Sequence, residues 1–197
     1  MSTKIYKPIP VMMTAAETGL MWPAHNLPEH VTLQSPSLEA MTDLSKVAPV
    51  TVQPGINLDE AELRMRTARV RLLFILDAAG TLLGIVTLND IHGMKPLRFV
   101  QERGISRDEV LVRDIMTPRD RLEALSMSDV AEASVGDIIE TLKSTGRQHA
   151  LVIERTGPQA LIRGLFSASS IGRQLGVVIN TSGIAWTFAE LESALAR

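Results

Sequence analysis

Two short segments place hydroxyl and carboxyl groups at matched positions. Thr87 and Asp90 lie in GIVTLNDI (84–91), and Ser167 and Ser170 lie in GLFSASSI (164–171). Gly84 to Gly164 and Thr87 to Ser167 are both steps of 80 residues. A strand that ends in Thr87, with Asp90 at a helix start, sets a hydroxyl and a carboxylate beside free backbone donors. Such a carboxylate can accept both hydroxyls of a ribose, while hydroxyl and amide donors suit a phosphate. The same Asp can instead cap its helix, and spacing alone fits both roles. Ser170 cannot offer two strong anionic acceptors, so the two copies are not chemically equivalent.

Other site chemistries lack their residues. The chain has no cysteine, which removes disulfides, thiolate catalysis and Cys-based metal sites. Four histidines, at 25, 30, 92 and 149, show no metal-ligand spacing, and no GxSxG elbow, Walker loop or GxGxxG follows a strand. The acid pairs Asp59–Glu60 and Asp108–Glu109 read as solvated charge at helix starts or linkers. The arginines of RMRTARVR (64–71) are interspersed with apolar residues, as in an amphipathic helix and its exit. A formal charge of −2 gives no footprint for nucleic acid or an anionic membrane. No visible set of residues makes an enzyme, and no cofactor is required.

Elements of two kinds must position the repeated segments. Leu72–Leu76 (LLFIL), the turn DAAG and LLGIVT read as two strands joined by a hairpin, matched later by HALVIE, RTGP and ALIRGLFS. Before the first pair, VTV (50–52) is a short strand, and Asn57 with Glu60 resembles a capping box for a helix over 58–68. Before the second pair, Ser134 precedes an apolar face of Val135, Ile138, Ile139 and Leu142, which Gly146 stops. Short helices follow both pairs, the first opened by Asn89 and Asp90 with Pro96 beyond it. Each unit is therefore strand, helix, strand, strand, helix, and residues 117–134 lengthen the second unit's entrance. Two copies of so small a unit exist because neither buries its apolar face alone.

The ends differ from this grammar. Residues 1–36 carry prolines at 8, 10, 23, 28 and 36 and read either as an extended arm on the domain or a partner subunit, anchored by Met21 and Trp22, or as partial disorder. The opening residues faintly imitate a signal peptide, but Pro8 and Pro10 interrupt the apolar patch, and a cytoplasmic location is expected. No apolar run is long enough to span a bilayer. TFAE (187–190) with Phe188, Leu191 and Leu195 predicts a C-terminal amphipathic helix that packs on its own domain or across a dimer.

DIMTP (114–118), GIVTLNDI and GLFSASSI together resemble the signature of the cystathionine-β-synthase (CBS) domain, with MTDL (41–44) similar to the matching entrance of the first copy. The resemblance spans about residues 40–176. It implies an α/β (α+β) fold of two β-α-β-β-α CBS repeats in a pseudo-twofold tandem pair, a Bateman module. The expected divisions are an arm over 1–36, repeat 1 over 37–100, repeat 2 over 101–176 and a tail with a helix over 177–197. It further implies homodimerisation and an adenosine-containing ligand, such as an adenine nucleotide or S-adenosylmethionine, between the copies. By that analogy one cleft is formed by Thr87, Asp90, Met116, Thr117, Pro118, Arg147, Gln148 and His149, with Arg147 and His149 open to a phosphate role or to that of ordinary surface residues. The other holds Ser167, Ser170, Arg69 and Arg71, and departs from the pattern where Ser170 replaces the expected Asp. A stand-alone regulatory module acting on an unknown protein partner is the leading expectation. A structural interaction module with degenerate clefts is the alternative.

Overall fold

Alternating apolar runs and turn signals produce eight strands and seven helices among the described residues. A computed structural model describes residues 27–157 and 159–181. The anchors Met21 and Trp22 and the C-terminal TFAE helix lie outside them. In chain order the elements are β1 (Thr42–Asp43), β2 (Thr51–Val52), α1 (Leu58–Ala68), β3 (Leu72–Leu76) and β4 (Leu82–Thr87). Then come α2 (Leu88–His92), α3 (Met94–Arg103), α4 (Val112–Ile115), β5 (Thr117–Pro118) and β6 (Ala124–Ser126). The remainder are α5 (Met127–Glu132), α6 (Val135–Thr145), β7 (His149–Thr156), β8 (Gln159–Ser167) and α7 (Ala168–Leu175).

The expected grammar is present twice, as β2-α1-β3-β4-α2 and β6-α6-β7-β8-α7. In each copy a helical crossover makes the first two strands parallel, and a hairpin makes the next pair antiparallel. Asn57 caps α1 by accepting from the Glu60 amide, and Ser134 with Asp137 forms a reciprocal capping box on α6. Both helices end in a left-handed residue, Gly146 after α6 and Arg69 after α1.

The repeats exchange strands. β1 precedes the first copy in sequence but pairs with β8, so one sheet runs β1-β8-β7-β6. β5, at the entrance of the second copy, pairs with β4 and completes β2-β3-β4-β5. Each copy has its own core, the first around Leu73, Ile75, Val86 and Ile91 and the second around Ile139, Val152, Phe166 and Ile171. A third cluster of Leu72, Phe74, Ile85 and Leu151 joins them. Residues 31–35 lie on the second copy: Val31 and Leu33 enter its core, and the Gly136 and Val135 amides donate to the Leu33 and Ser35 carbonyls.

Pro96 lies beyond the short helix α2, as expected, but inside a second helix that the sequence reading did not place. Gly93, with extended backbone, separates α2 from α3, and Pro96 occupies the first turn of α3. Its missing N–H costs little there because first-turn donors have no partner within the helix. In residues 117–134, β6 supplies the second copy's parallel strand and α5 is additional.

Candidate functional site

The Thr87–Asp90 pair is a complete capping box. The Thr87 amide and hydroxyl donate to Asp90 Oδ2 at 2.8 and 2.7 Å, and the Asp90 amide donates back to Thr87 Oγ1 at 3.3 Å. Lys95 Nζ lies 2.6 Å from the other oxygen, Oδ1. The carboxylate is thus held on both sides, and its capping role is realised in full.

The corresponding turn in the second copy is open. Ser167 is the N-cap of α7 but makes no side-chain cap bond; its hydroxyl pairs instead with Ser169 Oγ at 2.9 Å. Ser170 Oγ accepts from the Arg173 guanidinium at 3.4 Å. In front of this turn lies a cavity of about 610 Å³, of a size that suits a small organic ligand. The first copy and its approach supply Thr42, Leu44, Val47–Val50, Ala68–Leu72 and Phe74, and the second supplies His149, Leu165, Ser167, Ser169, Ser170 and Arg173. The cavity therefore lies between the repeats. One part of its wall is aliphatic and aromatic; the other carries hydroxyls and three arginines, Arg69, Arg71 and Arg173, with no carboxylate among the described residues.

His149 stands at the edge of β7, paired in register with Ser167. It also lines a smaller cavity of about 230 Å³ with Glu123, Thr141, Thr145 and Arg147, so its ring borders two spaces. Its Nδ1 is buried without a hydrogen-bond partner. Burial, and then the nearby Arg71 guanidinium, push its pKa from 6.5 down to about 4, against a weaker opposing pull from Asp90. The imidazole is therefore neutral at pH 7.

The residues grouped by family analogy with Thr87 and Asp90 border different spaces, although Asp90 is near enough to His149 to act on its charge. Met116, Thr117 and Pro118 border a space of about 320 Å³ with Lys95, Arg98 and Arg121. Thr117 and Pro118 are themselves the exchanged strand, opposite Ile85 and Gly84. Arg147 is exposed and pairs with Glu123 Oε2 at 2.8 Å, and Gln148 Nε2 donates to the Thr181 hydroxyl at 2.5 Å. Thr87 and Asp90 border none of these three spaces. The Ser167, Ser170, Arg69 and Arg71 set, by contrast, converges on one cavity. Arg173, Ser169 and the apolar wall were not singled out from sequence. Arg173 falls one helical turn after Ser170, and that spacing was its only available signal. Among the described residues no cluster of His, Asp or Glu could hold a metal ion, and no helix is long and apolar enough to cross a membrane.

Comparison with known proteins agrees with this architecture. Residues 40–93 match the CBS domain family. An uncharacterized conserved protein from Pyrococcus horikoshii is 21% identical, with a TM-score of 0.50 over 72% of this chain and 92% of its own. CBSX2, a CBS-pair protein from Arabidopsis thaliana, has a structure in complex with AMP that is 19% identical, with a TM-score of 0.46 over 71% of this chain and 94% of that one. The CBS domain pair of protein MJ0100, in complex with 5′-methylthioadenosine and S-adenosyl-L-methionine, is 16% identical, with a TM-score of 0.48 over 74% and 98%. No curated protein matches the chain. The family match covers the first copy, and the second repeats its strand order and motif. The described fold is thus one CBS-domain match followed by a second copy of the same strand order, the arrangement of a tandem CBS-domain pair.

Proposed function

We propose that the protein is a non-catalytic regulatory module that binds an adenosine-containing small molecule between its repeats and passes the bound state to a protein partner, working as a homodimer in the cytoplasm. The observation that carries this reading is the inter-repeat cavity of about 610 Å³, which offers an apolar wall for a base and guanidinium and hydroxyl groups for a polar tail. A ligand that touches both copies changes their relative packing to the extent that it prefers one arrangement. The exchanged strands β1 and β5 would carry that change across the pair.

The test is thermal unfolding of the full chain with AMP, ATP, S-adenosylmethionine and 5′-methylthioadenosine, together with sedimentation to read assembly. A bound compound at about 100 times its Kd stabilises by about 2.7 kcal/mol. For a chain of this size that raises Tm by about 5–10 °C. Absence of any shift at millimolar concentration would remove the adenosine reading. One observation favours the second reading, a structural interaction module, for the Thr87 side alone: both Asp90 oxygens are already engaged.

A further inference from the structure

Three arginines border the inter-repeat cavity, and none has a carboxylate partner among the described residues. Arg69, Arg71 and Arg173 make no ion pair there, whereas Arg66, Arg113, Arg147 and Arg163 all do. All three are exposed at the cavity's edge. Arg69 is the only non-glycine residue with positive φ among the described residues, at 55°, in the place that Gly146 takes after the equivalent helix. A left-handed arginine costs about 1–2 kcal/mol relative to right-handed backbone, so glycine would suit the turn better. An arginine nonetheless occupies the turn, and it lines the inter-repeat cavity with the other two; Arg69 and Arg71 also border a neighbouring space of about 250 Å³ beside Glu62. Nearby, α7 begins without a side-chain cap, and the buried Nδ1 of neutral His149 has no partner. Among the described residues the cavity wall contains no carboxylate that could accept a sugar diol.

We infer that this cavity selects its ligand by a polyanionic tail and does not read the sugar hydroxyls: its occupant carries two or more linked phosphates, held by Arg69, Arg71 and Arg173. One guanidinium exposed to solvent contributes little to holding a single phosphate, whereas three on one linked anion act together. The inference deepens the adenosine reading and rests on it for the apolar half of the ligand.

The test is calorimetric titration of the full chain with ATP, 2′-deoxy-ATP, AMP, S-adenosylmethionine and inorganic tripolyphosphate, repeated on Arg69→Gly, Arg71→Ser and Arg173→Gln. ATP and 2′-deoxy-ATP should bind within about twofold of each other. AMP and S-adenosylmethionine should be weaker by about tenfold or more, the scale of one lost charge-assisted contact. Arg69→Gly should weaken ATP by about tenfold or more without lowering the Tm of the unliganded protein, because glycine accepts the left-handed turn. If 2′-deoxy-ATP fails while AMP or S-adenosylmethionine binds tightly, the inference falls and the adenosine reading stands. If tripolyphosphate binds as tightly as ATP and no adenosine compound gains from its base, the anion site stands and the adenosine reading falls. ATP affinity unchanged in all three arginine variants, or no response to any probe, overturns the inference.

Discussion

Replacing Gly84 by alanine tests the strand exchange directly. A Cβ at this position would lie 2.3 Å from the Thr117 carbonyl oxygen and 3.1 Å from Pro118 Cα. Both are backbone atoms of β5, so no side-chain rotation can relieve the contact. β5 must move outward by about 1 Å to restore ordinary contact, and as a two-residue strand it has little other pairing to hold it. Overpacking of this kind costs about 1–3 kcal/mol, and one weakened ladder bond adds about 1. Alanine recovers about 0.5–1 kcal/mol of backbone entropy in a strand, which leaves a net loss of about 1–3 kcal/mol. The assay is urea unfolding of Gly84→Ala beside Gly55→Ala, where an added Cβ meets nothing within 4 Å. A loss below about 0.5 kcal/mol, or one no larger than that of Gly55→Ala, would refute the close-approach argument. Gly164→Ala should be milder, since one of its two closest neighbours, at 2.8 Å, is the flexible Met41 sulfur.

Asp90→Ala should cost about 1–2 kcal/mol in urea unfolding, because it opens the α2 capping box and leaves Lys95 with only the Ile115 carbonyl as a partner among the described residues; Asp90→Asn, which keeps an acceptor, should lose less. Burial raises the Asp43 pKa, but the Ser45 hydroxyl and amide and the Arg163 guanidinium outweigh it and hold the carboxylate below its ordinary 3.8. Asp43→Asn should therefore destabilise by about 1–3 kcal/mol at pH 7, with the difference from the parent vanishing as pH falls through that lowered value. His149 is held neutral, with its folded pKa of about 4 below the ordinary 6.5. Its contribution is complete above 6.5 and is lost as pH falls towards 4, where the unfolded chain binds the extra proton. Discounted for the ring's partial exposure, the loss is about 1–2 kcal/mol, and His149→Gln should flatten the stability curve across that window while leaving the steeper fall below pH 3.8 that the Asp43, Asp77 and Asp137 carboxylates govern.

Local signals carried most of the fold. Asn57, Ser134 and Gly146 mark helix ends by chemistry that acts within four residues, and the hairpins of LLFIL–LLGIVT and HALVIE–ALIRGLFS follow from short apolar runs about a turn. What local signals could not carry was decided at long range. β1 and β5 are two residues each, too short to show a period, and their partners lie more than 30 residues away or in the other copy. The motif glycines were conspicuous in the sequence, yet their reason is tertiary: each faces the backbone of an exchanged strand, Gly84 against Thr117 and Gly164 against Thr42. Arg69 gave no sign of a left-handed turn, because an arginine there is set by the helix end and the cavity around it, not by its own preference.

The site shows the sharper limit. A carboxylate at the third position of a helix suits a ribose and suits a cap for the same reason: both present donors to two oxygens in one direction. Sequence spacing cannot separate the two; in the structure Asp90 caps α2, with Lys95 on its other oxygen. Ser170 then changes meaning. As a missing acid it marks a degenerate motif; as a small neutral residue it leaves α7 uncapped and leaves Arg173 without a carboxylate three residues away. An Asp at 170 would place an anion beside Arg173 and could close the helix end as Asp90 does. The serine that weakens the family signature thus leaves Arg173 unneutralised beside Arg69 and Arg71 on the same cavity, and Ser170→Asp should lower the affinity for any polyanion there while raising the stability of the unliganded fold by about 0.5–1 kcal/mol.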